Sequence, residues 1–303
     1  METVLIAGGS GTIGKYLSKK LIENGFKVNL LSRTNKSISG ITTYLWNVEN
    51  QYLDEKAIES ADYIINLSGA NIGEKKWSSK RKKEISDSRV DSNKLLFNQI
   101  EKQNKKVKAF ISASAVGYYG MITSDKIFTE NDLPANDFLG MVCNKWEESC
   151  NSFENYGIRT VKIRTGVVLN SGDGALSKMM LPIKMFVGSP LGTGNQFIPW
   201  IYIDDLCNIY LKAIMDEKMN GAFNAVAPEH IYNKNFTKLL AKILNKPLLL
   251  PNIPAFVLKI ILGEMAKLVL EGSRISSKKI ENMGFHFNYP TLNSALNQII
   301  LNK

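Results

Sequence analysis

Three glycines in the stretch "AGGSGTIG", from Ala7 to Gly14, are spaced to cradle a phosphate. Gly8, Gly11 and Gly14 form G-x-x-G-x-x-G, directly after a short apolar run and at the opening of an amphipathic segment. Glycine lets the chain turn tightly and lets an anion approach the backbone. The N–H groups that open the following helix, at Thr12 and Ile13, lack intrahelical partners and sit at the positive end of the helix dipole. A structural turn is the plain alternative. Position decides between them: the triplet lies at the first β–α junction of an alternating chain, where dinucleotides bind.

The second apolar run decides which dinucleotide. A site for NAD places Asp or Glu at the end of that strand, about 20 residues on, to bind the ribose 2′-hydroxyl. Here "KVNLLSR" ends in Ser32 and Arg33. A hydroxyl and a guanidinium suit a 2′-phosphate, which arginine can grip bidentately. An ordinary surface arginine is the alternative, and NADP(H) is the favoured cofactor.

These residues need a scaffold, and the chain's rhythm supplies one. "TVLIAG", "KVNLLSR", "TTYLWN", "DYIINLSG", "KAFISASA" and "IRTVKIRTGVVL" read as strands. Helical segments stand among them, including "IGKYLSKKLIENG", a long one from about Lys80 to Asn104, and "LGMVCNKWEESCNSFENYG". Strands apolar on both faces, alternating with helices, predict an α/β fold with a Rossmann-like, doubly wound parallel sheet. After Leu169 the punctuation by Gly and Pro changes and helices dominate from about Asn235. The expected division is a cofactor domain over 1–168, with 198–228 returning to it, and a smaller, mainly helical lobe over 169–303.

Composition narrows the function classes. With 44% hydrophobic and 22% charged residues, the 303-residue chain can bury a large core. No apolar run reaches the ~20 residues of a membrane span, and "IPAFVLKIILGEMAKLVL" reads as one amphipathic helix because Lys259, Glu264 and Lys267 interrupt it. The first residues read as a strand and not as a signal peptide. Cys143, Cys150 and Cys207 have neither metal-ligand nor disulfide spacing, which suits a reducing cytoplasm. The net charge of +10 comes with a basic stretch, Lys75 to Lys83, that holds six Lys/Arg. It reads as a solvated helix face or a neighbour of a phosphate. No nucleic-acid module accompanies it, so nucleic acid and membrane are not expected partners, and no metal is expected.

The glycine triplet, "NLSGANIG" at Asn66–Gly73 and "SASAVGYYG" at Ser112–Gly120 resemble the extended short-chain dehydrogenase/reductase superfamily. More narrowly the chain resembles its atypical "epimerase family" branch, through "KKEISDSRV", "VCNKWE", "RTGVVLNSGDGAL", "GTGNQFIPWIYIDDL" and "NAVAPE". The resemblance runs nearly end to end and implies an NADP-binding domain beside a small substrate lobe. By position it implies that Ser32 and Arg33 hold the adenosine phosphate. Leu67 and Ser68 would line the ribose and pyrophosphate through their backbone. Glu84 and Arg89 would meet the cofactor, the alternative being exposed helix charges, and Val168 would approach the nicotinamide.

The superfamily's acid/base is a Tyr-x-x-x-Lys helix, in which lysine and the cofactor's cationic ring lower a phenol from its free pKa of about 10. Lys145 matches the lysine, yet four residues earlier stands Met141, which moves no proton. Ser114 matches the serine that holds the substrate oxygen. Tyr118 and Tyr119 are the nearest phenols, so either one of them replaces the tyrosine or the proton transfer is absent. They could also simply pack under the loop, and Lys145 could only hold the nicotinamide ribose. Trp200 and Asp204 resemble the segment that closes over substrate, with a buried tryptophan and an N-cap as the alternative. "GSPLGTGNQ" reads as a mobile loop, and His230 and His286 as isolated. Two functions compete: an NADP-dependent oxidoreductase or nucleotide-sugar-epimerase-like enzyme on a small hydroxyl or carbonyl compound, and a catalytically weak NADPH sensor or partner-binding protein.

Overall fold

All five residues of "TVLIA" are buried, because neighbouring side chains of a strand leave on opposite faces and both faces are covered. Val4 and Ile6 enter one core with Leu17 and Leu21; Leu5 and Ala7 enter a second with Ala57, Ile58 and Leu96. The computed structural model describes residues 1–34, 40–172 and 174–301.

The elements run β1 (Thr3–Ala7), α1 (Thr12–Glu23), β2 (Lys27–Ser32), β3 (Thr42–Asn47), β4 (Tyr52–Leu53), α2 (Glu55–Glu59), β5 (Tyr63–Asn66) and α3 (Ser79–Lys102). Then come β6 (Ala109–Ala115), β7 (Ile127–Phe128), α4 (Phe138–Glu148), α5 (Asn151–Asn155), β8 (Arg159–Thr165), β9 (Val167–Leu169) and α6 (Ala175–Lys184). The remainder is β10 (Trp200–Tyr202), α7 (Ile203–Met215), β11 (Gly221–Ala225), α8 (Asn233–Ile243) and α9 (Ala255–Leu262). It closes with α10 (Lys267–Leu270), β12 (Arg274–Ile275), α11 (Lys278–Asn282) and α12 (Leu292–Ile300).

Eight strands make one sheet in the order β11-β8-β6-β5-β1-β2-β3-β4, parallel except at the β3–β4 edge. The fold is the Rossmann-like α/β sheet expected. From β1 the chain builds outward through β2 and β3, then returns to place β5 on the other side of β1. The order therefore reverses between β1 and β5, and the crevice at such a reversal is where open α/β sheets bind ligands. Helices α1 and α7 pack on one face, α2, α3 and α5 on the other. A third core, around Trp200, Phe236 and Leu296, belongs to the smaller region built from α6, α8 and α12.

Two segments depart from their expected form. "IRTVKIRTGVVL" is two strands, because the chain leaves the main sheet at Gly166. A Cβ there would lie 2.5 Å from the Pro199 carbonyl oxygen, which Val167 N–H meets at 2.7 Å. Glycine thus permits the switch that lets β9 pair with β10. "IPAFVLKIILGEMAKLVL" breaks at Gly263, whose φ of 61° ends α9 and starts a 3₁₀ turn before α10.

Neither Asp204 nor Asp205 caps α7, contrary to the plain reading of that segment. Asp204 accepts from Lys20 Nζ at 2.5 Å, tying α7 to α1. Asp205, fully buried, accepts the backbone N–H groups of Asn288 (2.8 Å) and Tyr289 (3.0 Å). Asp205→Ala orphans two backbone donors at about 1–3 kcal/mol each, so the melting temperature should fall by several degrees. Asp204→Ala, at a partly exposed pair, should move it far less. Thermal unfolding of both variants makes the comparison.

Candidate cofactor and active site

The β1–α1 turn and the end of β5 meet backbone to backbone. Gly8 has φ of 78°, and a Cβ on it would fall 2.9 Å from Leu67 C and Ser68 N. A Cβ on Gly14 would fall 2.4 Å from Gly9 Cα, so α1 docks directly on the turn. Gly11 is different: it is exposed, and a Cβ there would meet only the turn's own Gly8 oxygen. No side chain caps α1 and no acid stands in its first turn, where Thr12 is exposed and Ile13 half-buried. A bare, uncapped helix N-terminus at the sheet's reversal fits a pyrophosphate.

The neighbouring loops are held by amides. Asn66 Oδ1 accepts from Ser68 N (3.0 Å) and Ser68 Oγ (2.5 Å), while its Nδ2 donates to Asn93 Oδ1 (2.6 Å) and Ser92 Oγ (2.9 Å) in α3. Leu67 and Ser68 therefore sit on a fixed, buried network. At the end of β2, Ser32 is half-buried and accepts from Thr34 N, and Arg33 is exposed. Val168 lies half-buried in β9, against the core under α7.

Two arginines of α3 hold the loop that follows β5. Arg89, half-buried, donates to Ala70 O (3.1 Å) and Ile85 O (2.8 Å) and lies over the Trp146 ring. Burial lowers its pKa below the usual guanidinium value. Arg81 is buried and donates to Asn71 O at 2.5 Å. Glu84 is exposed, and its hydrogen bond from Arg81 (2.8 Å) holds its carboxyl below the usual range. Arg89 is therefore also a structural residue, where the sequence offered only a cofactor contact or an exposed charge.

The region around Ser114 is built on a buried ion pair. Arg164 meets Glu147 through Nε–Oε1 and Nη2–Oε2, both 2.8 Å. Ser114, 3% exposed, donates its hydroxyl to Glu147 Oε1 at 2.6 Å. Arg164 Nη1 donates to the Tyr119 hydroxyl (2.9 Å), which donates to Asn224 Oδ1 (2.7 Å). Burial pulls the arginine's pKa down, but the hydrogen bonds it donates to Glu147 outweigh it and the net shift is upward. Ser114, its hydrogen directed to Glu147, is left to present lone pairs.

This arrangement separates the two phenols. Tyr119 is 2% exposed with both hydroxyl partners inside the protein, and burial raises its pKa far above the free value. It is a core tyrosine, a correction to its candidacy for proton transfer. Tyr118 is half-buried with its ring 3.5 Å from the Arg164 guanidinium carbon; burial raises its pKa too, with Arg164 opposing. Met141, 50% exposed, and exposed Lys145 stand one turn apart on α4. The Lys145 side chain has no ion-pair or hydrogen-bond partner among the described residues. Sequence reasoning passed over Glu147 and Arg164, though an arginine inside the apolar run "TVKIRTG" signals a buried partner.

With this geometry in place, the chain can be set beside known proteins. A family model described as "NAD dependent epimerase/dehydratase family" matches residues 4–226. The chain belongs to that family. A second model, for a domain of unknown function, matches 253–299. An epimerase family protein of Bacillus subtilis is 35% identical over 302 residues, covering 99% of this chain and 98% of its own. One from Mycobacterium leprae is 34% identical over 295 residues, covering 97% and 94%. The crystal structure of a human epimerase family protein with NADPH superposes with a TM-score of 0.86 at 30% identity, over 99% of this chain and 100% of that one. A UDP-glucose 4-epimerase from Thermotoga maritima, with UDP-glucose, reaches 0.78 at 19% identity over 99% and 97%, a likeness of fold alone.

Other expected features settle into structural roles. Trp200 is fully buried in the third core. The 188–196 segment is tied down: Ser189 donates to Pro251 O (2.6 Å), and buried Gln196 donates to Leu191 O and Val269 O. His230 contacts Ile275 O at 3.0 Å. Burial pushes the three thiols up to about 12, which makes them unreactive. No metal-binding cluster occurs among the described residues.

Glu147→Gln strands the Arg164 charge in the core, at about 3–5 kcal/mol. Tyr119→Phe removes one hydrogen-bonded hydroxyl, at about 1–3 kcal/mol. Melting temperatures should therefore fall in the order Glu147→Gln, then Tyr119→Phe, with Lys145→Met unchanged. A thermal shift for Lys145→Met as large as that for Tyr119→Phe would contradict the assignment of roles.

Proposed function

We propose that this protein is an NADP(H)-dependent oxidoreductase, or an epimerase-like relative, acting on a carbon that bears a hydroxyl or carbonyl. The observation that carries the reading is the uncapped start of α1 at the β1/β5 reversal, together with Ser32 and Arg33 in place of an acid at the end of β2. The human relative crystallised with NADPH supports the choice of phosphate-bearing cofactor. When bound, the nicotinamide supplies hydride transfer at carbon.

The chain's own groups have distinct tasks in this reading. Backbone N–H groups of Thr12 and Ile13 bind the pyrophosphate, Gly11 leaves room for it, Gly8 and Gly14 let the turn close on Leu67–Ser68 and on Gly9, and Ser32 with Arg33 takes the 2′-phosphate. Leu67 and Ser68 line the ribose side, Glu84 and Arg89 flank it, and Val168 borders the nicotinamide. Lys145 donates to the nicotinamide ribose. Ser114, whose hydrogen is given to Glu147, accepts from the hydroxyl form of the compound, the alcohol that reduction yields. Tyr118 serves better as a proton donor than as a base, since its raised pKa keeps the phenol protonated at neutral pH. That favours the reductive direction, in which a carbonyl oxygen must gain a proton.

Met141 in the tyrosine's place favours a second reading, a cofactor-binding protein with little turnover, and the site of the smaller region then serves a partner.

Cofactor titration tests the first claim. NADPH should bind more tightly than NADH, and Arg33→Ala should erase most of the preference, a loss of about 1.5–3 kcal/mol. Equal affinities in the unmodified protein would remove the basis for NADP(H). For the proton donor, a panel of small aldehydes, ketones and sugar nucleotides is reduced by the unmodified protein, Tyr118→Phe and Tyr119→Phe. Tyr118→Phe should lower turnover by roughly 10²–10⁴ with NADPH affinity intact, and Tyr119→Phe should act only through stability. Reduction that survives Tyr118→Phe would reassign the proton to another group.

A further inference from the structure

The smaller region carries apolar side chains that none of the described residues covers. On α9, Phe256 and Ile260 stand one turn apart and are 65% and 74% exposed, with Ile261 at 57%. Leu249 and Leu250 are exposed on the segment that leads into α9, and Met185, Phe186 and Val187 on the segment after α6. These two segments run side by side. Lys246 Nζ lies 4.6 Å over the Phe186 ring, Ser189 Oγ donates to Pro251 O, and Ile253 N donates to Pro190 O at 2.9 Å. Eight large apolar side chains are thus gathered on one part of the molecule.

The charge carried by these stretches of chain has one sign. Between Asp173 and Asp204, and again between Glu229 and Glu264, the sequence contains no Asp or Glu. Those intervals hold Lys178, Lys184, Lys234, Lys238, Lys242, Lys246 and Lys259. Glu264, where the acid-free stretch ends, is already paired with Lys82. Exposed apolar groups on acid-free, lysine-bearing stretches of chain match a surface that is apolar beneath and anionic above, which is the interface of an acidic bilayer. A second copy fits poorly, because mating two such patches would set lysine against lysine.

We infer that the α9 face, with Leu249, Leu250 and the 185–187 segment, docks this protein on the surface of an anionic membrane. No helix of the described residues is long and apolar enough to cross a bilayer, so α9 lies in the interface. Phe256, Ile260 and Ile261 enter the acyl boundary while Lys246 and Lys259 meet headgroup phosphates. The inference is independent of the cofactor reading, since none of these residues belongs to the glycine turn or the Ser114 region.

The test is co-sedimentation of the full chain with vesicles of phosphatidylcholine alone or mixed with phosphatidylserine. The mixed vesicles should bind at least about tenfold more protein, and the binding should weaken as salt rises. Phe256→Asp/Ile260→Asp should abolish sedimentation, and Lys246→Glu/Lys259→Glu should weaken it. Both double variants should keep the unmodified melting temperature and NADPH titration, which separates loss of docking from loss of fold. No binding to mixed vesicles, equal binding to both kinds, or binding indifferent to Phe256→Asp/Ile260→Asp would overturn the inference. So would sedimentation equilibrium showing a dimer that Phe256→Asp/Ile260→Asp dissolves, since the patch would then be an interface between copies.

Discussion

The Arg164–Glu147 pair is the constraint around which the candidate active site is arranged. Two charges buried together lose much hydration, and the pair is tolerable only because each atom facing inward is hydrogen-bonded. Glu147 is bidentate to Arg164 and accepts from Ser114; Arg164 also donates to Tyr119 and to Glu130 O. Through these bonds the ends of β6 and β8, the helix α4 and the 130 loop are locked in one relation. Asn224 of β11 joins them, accepting from Tyr119 and donating to Ser276 O. The position of Ser114, and the polarity of its hydroxyl, follow from Glu147, 33 residues away in the chain.

A second network fixes the cofactor side by the same logic. The amide of Asn66 bridges Ser68 to Asn93 and Ser92, and Asn93 reaches Ser149 at the end of α4. Arg81 and Arg89 then fasten the loop beyond Ser68 by backbone carbonyls. Helix α3 is thereby a clamp on the loop at the sheet's reversal. The paired buried amides of Asn66 and Asn93 specify one arrangement, because any alternative leaves donors unsatisfied in the core. The loop after β5 and helix α4 are coupled through Asn93 and Ser149, within one chain of hydrogen bonds.

Much of the fold was legible in the sequence because it rests on local rules. The unbroken apolar run in "TVLIA", the glycine triplet at a strand–helix junction and the alternation of strands with helices each depend on near neighbours. The same holds for Ser32 and Arg33, whose place at the end of β2 follows from strand length. Where the sequence misled, a long-range contact intervened. Gly166 turned one strand into two because Pro199, over thirty residues on, approaches its Cα. Asp205 was claimed by Asn288 and Tyr289 and not by its own helix.

The sequence by itself determined the doubly wound sheet, the site of the phosphate turn and the absence of tyrosine at Met141. Each of these is written in residue type and spacing. Only the tertiary structure distinguished Tyr118 from Tyr119, adjacent in the chain and equal as phenols. One turns its hydroxyl into the core to meet Arg164 and Asn224, and the other lays its ring on that same guanidinium. Only the tertiary structure, too, revealed Glu147 as the partner of Ser114, 33 residues distant. The reason is physical: burial and charge pairing are set by what distant segments bring to a point, and no local pattern carries that information.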